Sequence, residues 1–303
     1  MAPQAPYGSN DVPGGNLLKG GFAEMPMLVK TDRLYFLRYP GGKQRMFNQL
    51  MRCLPQKDEI QGKFVEPFLG GGSAFFMVEP RIAVLSDINE ELITLYRGIS
   101  LYPIEVWKIF KSFPPTKEAY YQIRNNEAAP NDLSFKSARI LYLNRTCFKG
   151  MWRHNSHGRF NVGYGGQDRR WVINEDSLLE VSRRLKRVEL LCSDFQPVIE
   201  ACAGNDFIFA DPPYCPGERE LVHSHYLWNR FSFAEHERLA LTLHKATKRG
   251  VKWALTISSH PDILKLYKGY RIAALTRGVG RSPGILTRNP GEVFISNYND
   301  EVY

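Results

Sequence analysis

The 303-residue chain predicts an α/β sheet domain in two sequence pieces with a helical insertion between them. Three observations carry this. Short apolar runs of strand length alternate with helical stretches between about residues 64 and 98. The alternation resumes at residue 188 and continues to residue 298. Between the two, Leu101 to about Leu185 reads as amphipathic helices broken by polar, aromatic and glycine-rich loops.

Residues 1–30 hold Pro3, Pro6, Pro13, Gly14, Gly15, Gly20 and Gly21 without periodicity, and a mobile tail outside the fold is expected there. Phe64-Val65-Glu66 is a short apolar run closed by Pro67 and a glycine cluster, as in a buried strand that ends in a tight loop. A helix is expected from Ser73 to Glu79 with Ser73 near its cap. Ile82–Leu85 is a second strand, ending at Ser86-Asp87, and Asn89–Gly98 a second helix. Within the insertion, Asp132–Leu143 and Glu175–Leu185 are the clearest helices. Strands resume at Val188–Cys192 and Phe207–Ala210. A long helix begins at Ser232, where Ser232 and Glu235 have capping-box spacing and Leu239, Leu243 and Ala246 share a face. Trp253–Ile257, Ile272–Leu275 and Val293–Tyr298 complete the strands.

Composition excludes several classes. A chain 43% hydrophobic and 23% charged is not disordered as a whole. Its mean hydropathy is −0.34, and no apolar run approaches the roughly 20 residues that span a bilayer. Met1–Lys30 has no apolar core of a secretory signal, so a cytoplasmic protein is expected, acting at the nucleoid. Cys53, Cys147, Cys192, Cys202 and Cys215 show no zinc-ligand spacing and are expected as reduced thiols, with no metal site. A net charge of +9 favours an anionic partner, nucleic acid first.

Four segments carry chemistry. The first, Phe64 to Ser73, runs from a strand through Gly70, Gly71 and Gly72 towards a helix, which lets a nucleotide-like ligand approach the backbone. The third glycine of a dinucleotide fingerprint would fall at Phe75, which disfavours a dehydrogenase and a pyrophosphate. The second, Asp87-Ile88-Asn89, places an acid at a strand end, where it can accept from both ribose hydroxyls or simply cap a helix. Together the two describe an adenosine site without phosphate. The third, Asp211-Pro212-Pro213-Tyr214, follows the apolar strand Phe207–Ala210, and chance would produce this string with a probability on the order of 10⁻³. Its prolines fix φ and remove two donors, which leaves a rigid shelf of acceptors. Asp211 and the Pro212 carbonyl can take both hydrogens of an exocyclic amine, with Tyr214 as a flat face for a flipped base. The fourth, Arg38-Tyr39-Pro40-Gly41-Gly42-Lys43, offers an aromatic and two cations and alone would pass for a surface turn.

In this order the segments resemble the Dam-type family of DNA adenine-N-6 methyltransferases, which places a target-recognition insertion between the cofactor loop and the Asp-Pro-Pro-Tyr motif. Leu143 to Asn155, followed by Gly158-Arg159-Phe160-Asn161-Val162, is similar to that family's recognition segment. The resemblance covers roughly Leu34 to Tyr298. It implies a Rossmann-like class I methyltransferase sheet, with residues 31–99 and 187–303 binding S-adenosylmethionine and residues 100–186 recognising the target.

Carried over by position, the resemblance assigns Tyr39, Lys43, Glu66, Pro67, Phe68, Gly70, Asp87, Asp194, Phe195 and Asp211 to the cofactor. It assigns Asp211, Pro212, Pro213 and Tyr214 to catalysis. Phe148 and Lys149 fall where relatives wedge into the duplex, Met151 lies beside them, and Arg38 matches a residue that contacts a flanking guanine. Arg153 falls on a base-reading position, with a phosphate contact as its competing role. Arg124, Arg139, Arg159, Arg169, Arg170, Arg277, Arg281 and Arg288 are candidate phosphate contacts or plain surface charges. The implied partner is double-stranded DNA, with a GATC-like site as the default. A monomer is expected, and a restriction endonuclease counterpart stays open. The rival readings are transfer to a cytosine amine or to adenine in RNA, and a catalytically silent DNA-binding relative.

Overall fold

Strands β1 (Phe64–Glu66), β2 (Ala83–Asp87), β3 (Val188–Cys192), β4 (Phe207–Ala210), β5 (Lys252–Ser258), β6 (Arg271–Leu275) and β7 (Glu292–Ser296) form one sheet in the order β3-β2-β1-β4-β5-β7-β6. The computed structural model describes residues 34, 36–39, 46–126, 130–214, 231–275 and 292–298. The expected N-terminal tail, Lys43, Cys215, Arg277, Arg281 and Arg288 lie outside the described residues. Strands β1 to β5 pair in parallel, and β7 enters antiparallel between β5 and β6. This is the Rossmann-like kind of sheet that the resemblance implies. Strand order reverses at β1, with β2 on one side and β4 on the other, and ligands of such sheets bind beyond the carboxyl ends at that point.

Period-two alternation along the strands feeds two cores, one on each face of the sheet. Phe64, Leu85, Phe207, Phe209 and Phe294 join one core, which continues into the insertion. Val65, Val84, Ile208, Trp253, Leu255 and Ile295 join the other. Helices α1 (Phe47–Cys53) and α2 (Ser73–Val78) flank β1 in sequence. Between β2 and β3 come α3 (Glu90–Leu101), α4 (Pro103–Ser112), α5 (Lys117–Asn125), α6 (Leu133–Thr146) and α7 (Glu175–Leu185). The other side carries α8 (Phe195–Glu200), α9 (Phe233–Lys248) and α10 (Pro261–Lys265). No helix among the described residues is long and apolar enough to cross a membrane.

Several local expectations shift. Gly72, not Ser73, holds the N-cap position of α2, because the turn needs a left-handed residue (φ +65°) and a Cβ there would lie 2.8 Å from the Tyr96 hydroxyl. The second strand ends at Asp87 as expected but starts at Ala83, with Ile82 exposed outside it. Helix α3 runs past Gly98 to Leu101, and α6 runs to Thr146, so Asn144 is helical. Helices α1, α8 and α10 carry no strong sequence signal, being five to seven residues long. The Ser232 side chain caps α9 by accepting from the Glu235 N–H at 3.3 Å, whereas the Glu235 carboxylate turns to Arg238.

Gly98 is interior to α3 for a packing reason. A Cβ there would sit 1.9 Å from Ser137 Oγ and 2.5 Å from Ser137 Cβ on α6, whose hydroxyl donates to the Thr94 carbonyl at 3.0 Å. Gly98→Ala is expected to destabilise the fold by about 1–3 kcal/mol through overpacking. Adding Ser137→Gly should recover part of that loss, and urea denaturation of the three variants checks both.

Candidate active site and recognition segment

Three acids emerge together at the carboxyl ends of neighbouring strands: Glu66 from β1, Asp87 from β2 and Asp211 just after β4. Glu66 is 2% exposed and accepts from the Phe75 N–H at 3.1 Å. Burial pushes its carboxyl well above the usual range, the Phe75 N–H opposes that, and the charges of Asp211 and Asp87 add to the rise. Asp87 is likewise raised by burial, against hydrogen bonds from Gly70 N–H and Asn89 N–H, each at 3.0 Å. Gly70 is left-handed (φ +47°), and a Cβ on it would meet the Tyr39 ring at 3.1 Å. The Tyr96 hydroxyl fastens the same turn by donating to the Gly70 carbonyl at 3.3 Å. Tyr39 therefore lies directly over the glycine loop. Burial raises its hydroxyl, with the Asp87 charge adding to the rise and an Asn89 hydrogen bond opposing it.

Pro67 is buried beneath this loop, and Phe68 packs against Phe195 and Phe231 at ring distances of 5.3 and 5.6 Å. Phe195 is buried and opens α8. The Asp194 carboxylate caps that helix and is gripped by Arg238 through two hydrogen bonds of 2.7 and 2.8 Å, which hold it below the usual carboxylate range. The Arg238 guanidinium lies 4.0 Å from the Phe195 ring centre. Arg238 carries no sequence motif; only its position on α9 brings it here.

The shelf is tied down by strands the motif does not include. Parallel pairing of Ala210 with Leu255 sets Thr256 beside Asp211, and the Thr256 hydroxyl donates to Asp211 Oδ1 at 2.7 Å. The Tyr214 hydroxyl lies 3.3 Å from the same oxygen and also hydrogen-bonds the Glu292 carboxylate. Burial first, then the charges of Asp211 and Glu292, push the Tyr214 hydroxyl far up. Pro212 is buried and Pro213 exposed. Thr256 and Glu292 belong to none of the sequence motifs. The available signal was an acid heading an apolar strand, where a hydrophobic residue is the cheaper choice.

The segment from Asn144 to Tyr164 is folded back on itself and onto the Arg38 segment. Asn144 receives the Arg38 N–H at 2.9 Å and donates to the Arg38 carbonyl at 2.7 Å. The Arg38 guanidinium donates to the Cys147 carbonyl at 3.3 Å. Bridges Cys147–Tyr164 and His154–Phe160 close the loop, and Arg153 donates to the Asn161 side chain at 2.7 Å. Phe148 stays 50% exposed, with Lys149 in a left-handed conformation (φ +52°) beside it. Met151 is half-buried and packs on the core that Tyr39 and Trp152 also touch.

Among the arginines weighed as phosphate contacts, the structure corrects three. Arg170 is fully buried, donating to the carbonyls of Phe110 and Phe113 under the rings of Tyr142 and Trp171. Arg139 closes the end of α5 by donating to the Ile123 and Arg124 carbonyls at 2.9 and 2.8 Å. Arg124 donates to the Val162 carbonyl at 3.1 Å. Helix ends and loop carbonyls, rather than phosphate, claim these guanidiniums. Arg159 and Arg169 are exposed.

Comparison with known proteins places this geometry. Residues 39–278 match the family model of D12 class N6 adenine-specific DNA methyltransferases. The chain is 32% identical over 289 residues to the Type II methyltransferase M.MjaIII of Methanocaldococcus jannaschii, covering 87% of this chain and 98% of that one. It is 35% identical over 250 residues to the DNA N-6-adenine-methyltransferase of Escherichia phage P1, covering 78% of this chain and 32% of the phage protein. It is 30% identical over 257 residues to the DNA adenine methylase of Haemophilus influenzae, covering 82% and 88%.

One neighbour of the site is a latent acid sensitivity. His236 is fully buried against Phe231, and neither ring nitrogen has a hydrogen-bond partner among the described residues. Burial pushes it down from 6.5 to about 4, with the Glu235 charge opposing that shift. The unfolded chain thus takes up a proton that the folded one refuses. The associated stability is complete above pH 6.5 and is lost as pH falls from there towards 4. His236→Leu should flatten the pH dependence of thermal unfolding across that window, by up to about 1 kcal/mol per pH unit.

Proposed function

This chain belongs to the D12 class N6 adenine-specific DNA methyltransferase family, and on that premise we propose S-adenosylmethionine as its methyl donor and the Asp211–Tyr214 shelf as its transfer site. It is an adenine-specific DNA methyltransferase, so the adenine amine of DNA is its acceptor. The observation that carries the proposal is the convergence of Glu66, Asp87 and Asp211 at the switch point of the sheet, where each charge is felt by Glu66. A phosphate would be repelled there. A ligand bearing an ammonium and a sulfonium suits it, and the glycine loop lacks the third glycine that a pyrophosphate needs.

In this reading Asp87 holds the ribose hydroxyls, since two backbone N–H bonds leave its carboxylate further acceptor capacity. Tyr39 covers the glycine loop, and Lys43 belongs to the same segment. Phe68 and Phe195, supported by Arg238, line the adenine end. Bound there, the donor supplies an electrophilic methyl group. The protein's task is to prepare the acceptor. The amine lone pair is delocalised into the ring; Asp211 and the Pro212 carbonyl accept its two hydrogens and draw the nitrogen towards tetrahedral geometry. Tyr214 stacks on the extruded base, and catalysis is positioning with electrostatics.

Residues 100–186 form the recognition domain in this proposal, with Arg38 and Arg153 reading or orienting the duplex and Lys149 and Met151 beside the exposed wedge Phe148. Extruding a base costs a few kcal/mol, and Phe148 is placed to fill the gap. The Type II names of some relatives make a restriction endonuclease the counterpart to look for.

Methyl transfer from labelled donor to unmethylated genomic duplex DNA tests the reading. Asp211→Ala is expected to lower turnover by about 10³-fold or more while duplex affinity stays within about threefold; near-normal turnover would remove Asp211 from the reaction. Phe148→Ala should lower kcat/KM by about tenfold, and a mismatch opposite the target adenine should restore most of it, because a mismatched base is cheaper to extrude.

A further inference from the structure

Glu292 is an acid where the fold asks for an apolar residue. It heads β7, a strand buried at all five positions, and is itself 5% exposed. Taking a carboxylate out of water costs several kcal/mol unless hydrogen bonds compensate. A partner it meets is the Tyr214 hydroxyl, 78 residues away in sequence. Strand register produces the meeting. Glu292 faces Ser258 across the β5–β7 ladder, and Thr256 lies two residues from Ser258 on the same side of β5. Thr256 and Glu292 are thereby presented to Asp211 and Tyr214 from one face of the sheet.

Strands β5 and β7 act on different parts of the shelf. Thr256 donates to Asp211 Oδ1 and orients the carboxylate. The hydroxyl of Tyr214 has a single proton to give and two carboxylates around it, Asp211 and Glu292. Donation to Glu292 leaves the Asp211 oxygen to Thr256 and pins the far end of the tyrosine ring. The hydroxyl oxygen lies on the ring's long axis, so a hydrogen bond to it fixes where the far end of the ring sits and thereby the tilt of its face. A ring that must present one face to an incoming base gains from being held beforehand.

We propose that Glu292 is a positioning residue for methyl transfer, holding Tyr214 through its hydroxyl so that the ring is set for the extruded adenine and Asp211 stays engaged with Thr256. This rests on the assignment of Asp211 and Tyr214 to the transfer site. It predicts a defect in the chemical step and not in assembly. Donor affinity is set at the Glu66–Asp87 end, and duplex affinity in the insertion.

The test is a double-mutant cycle on the full-length protein, read as kcat and KM for both substrates, with thermal unfolding alongside and Asp211→Ala as reference. Glu292→Ala should lower kcat by about tenfold or more, with both KM values changed less than about threefold. Glu292→Gln keeps an acceptor for the hydroxyl and should recover kcat to within about threefold of the parent. Tyr214→Phe removes the hydroxyl, so adding Glu292→Ala to it should cost nothing further in kcat. Independent, additive losses would overturn the proposal, as would a Glu292→Gln variant as impaired as Glu292→Ala. Should Glu292→Ala fail to fold, the Tyr214→Phe background with Glu292→Gln decides it, since any added kcat loss there is not transmitted through the hydroxyl. If Asp211→Ala itself stays active, the transfer-site assignment has failed; if it is dead while Glu292→Ala is unimpaired, only the role of Glu292 has.

Discussion

Because β1 pairs in parallel with β2 on one side and with β4 on the other, the chain leaves three adjacent strands through the same rim of the sheet. Each exit carries an acid, and none of Glu66, Asp87 and Asp211 could be moved without breaking the register that buries its strand. The rim therefore concentrates negative charge in a partly buried place. Backbone N–H groups offset some of the cost at Glu66 and Asp87, and the Thr256 hydroxyl does so at Asp211. Burial still outweighs those bonds at the first two, both of which stay raised.

The insertion is joined to this rim by backbone geometry. Asn144 makes both hydrogen bonds of an amide to the Arg38 backbone, so the residue preceding Tyr39 is fixed by a helix of the insertion. A Cβ on Gly150 would fall 2.5 Å from the Arg38 side chain, which explains a left-handed glycine at the turn after Phe148. The segment that covers the glycine loop and the segment that carries Phe148 thus share one set of contacts. Arg38 is the residue through which the two segments are held together.

Much of this was legible in the sequence wherever partners are neighbours along the chain. Asp87 and Asp211 end apolar runs, and the residue types around them dictate a turn and a rigid shelf. Ser232, Asn89 and the alternation Phe207-Ile208-Phe209 behave as their local chemistry requires. The failures share a cause. Ser73 has the right chemistry for a cap, but the preceding glycine run makes a left-handed turn that only Gly72 tolerates beside Tyr96. Thr256, Glu292 and Arg238 act through partners 45, 78 and 44 residues away, and strand pairing or helix packing, absent from any local pattern, creates those contacts.

The arginines make the same point about charge. A net +9 invites the picture of a basic surface waiting for phosphate. Yet Arg170 is enclosed by aromatic rings with its donors on main-chain carbonyls, and Arg145, 3% exposed, donates to the Arg169 carbonyl at 2.8 Å. Arg139 serves the end of α5. Burial lowers the pKa of all three, the sign expected when a cation is desolvated. These cations brace the insertion from within: each satisfies carbonyls that the ends of helices and irregular loops would leave bare, and cation–π contacts offset part of the desolvation at Arg170. The cations left on the surface are fewer than the count suggests, with Arg159 and Arg169 among the exposed ones. The internal arginines set the shape those positions are carried on, and a charge count over the whole chain overstates the electrostatic footprint.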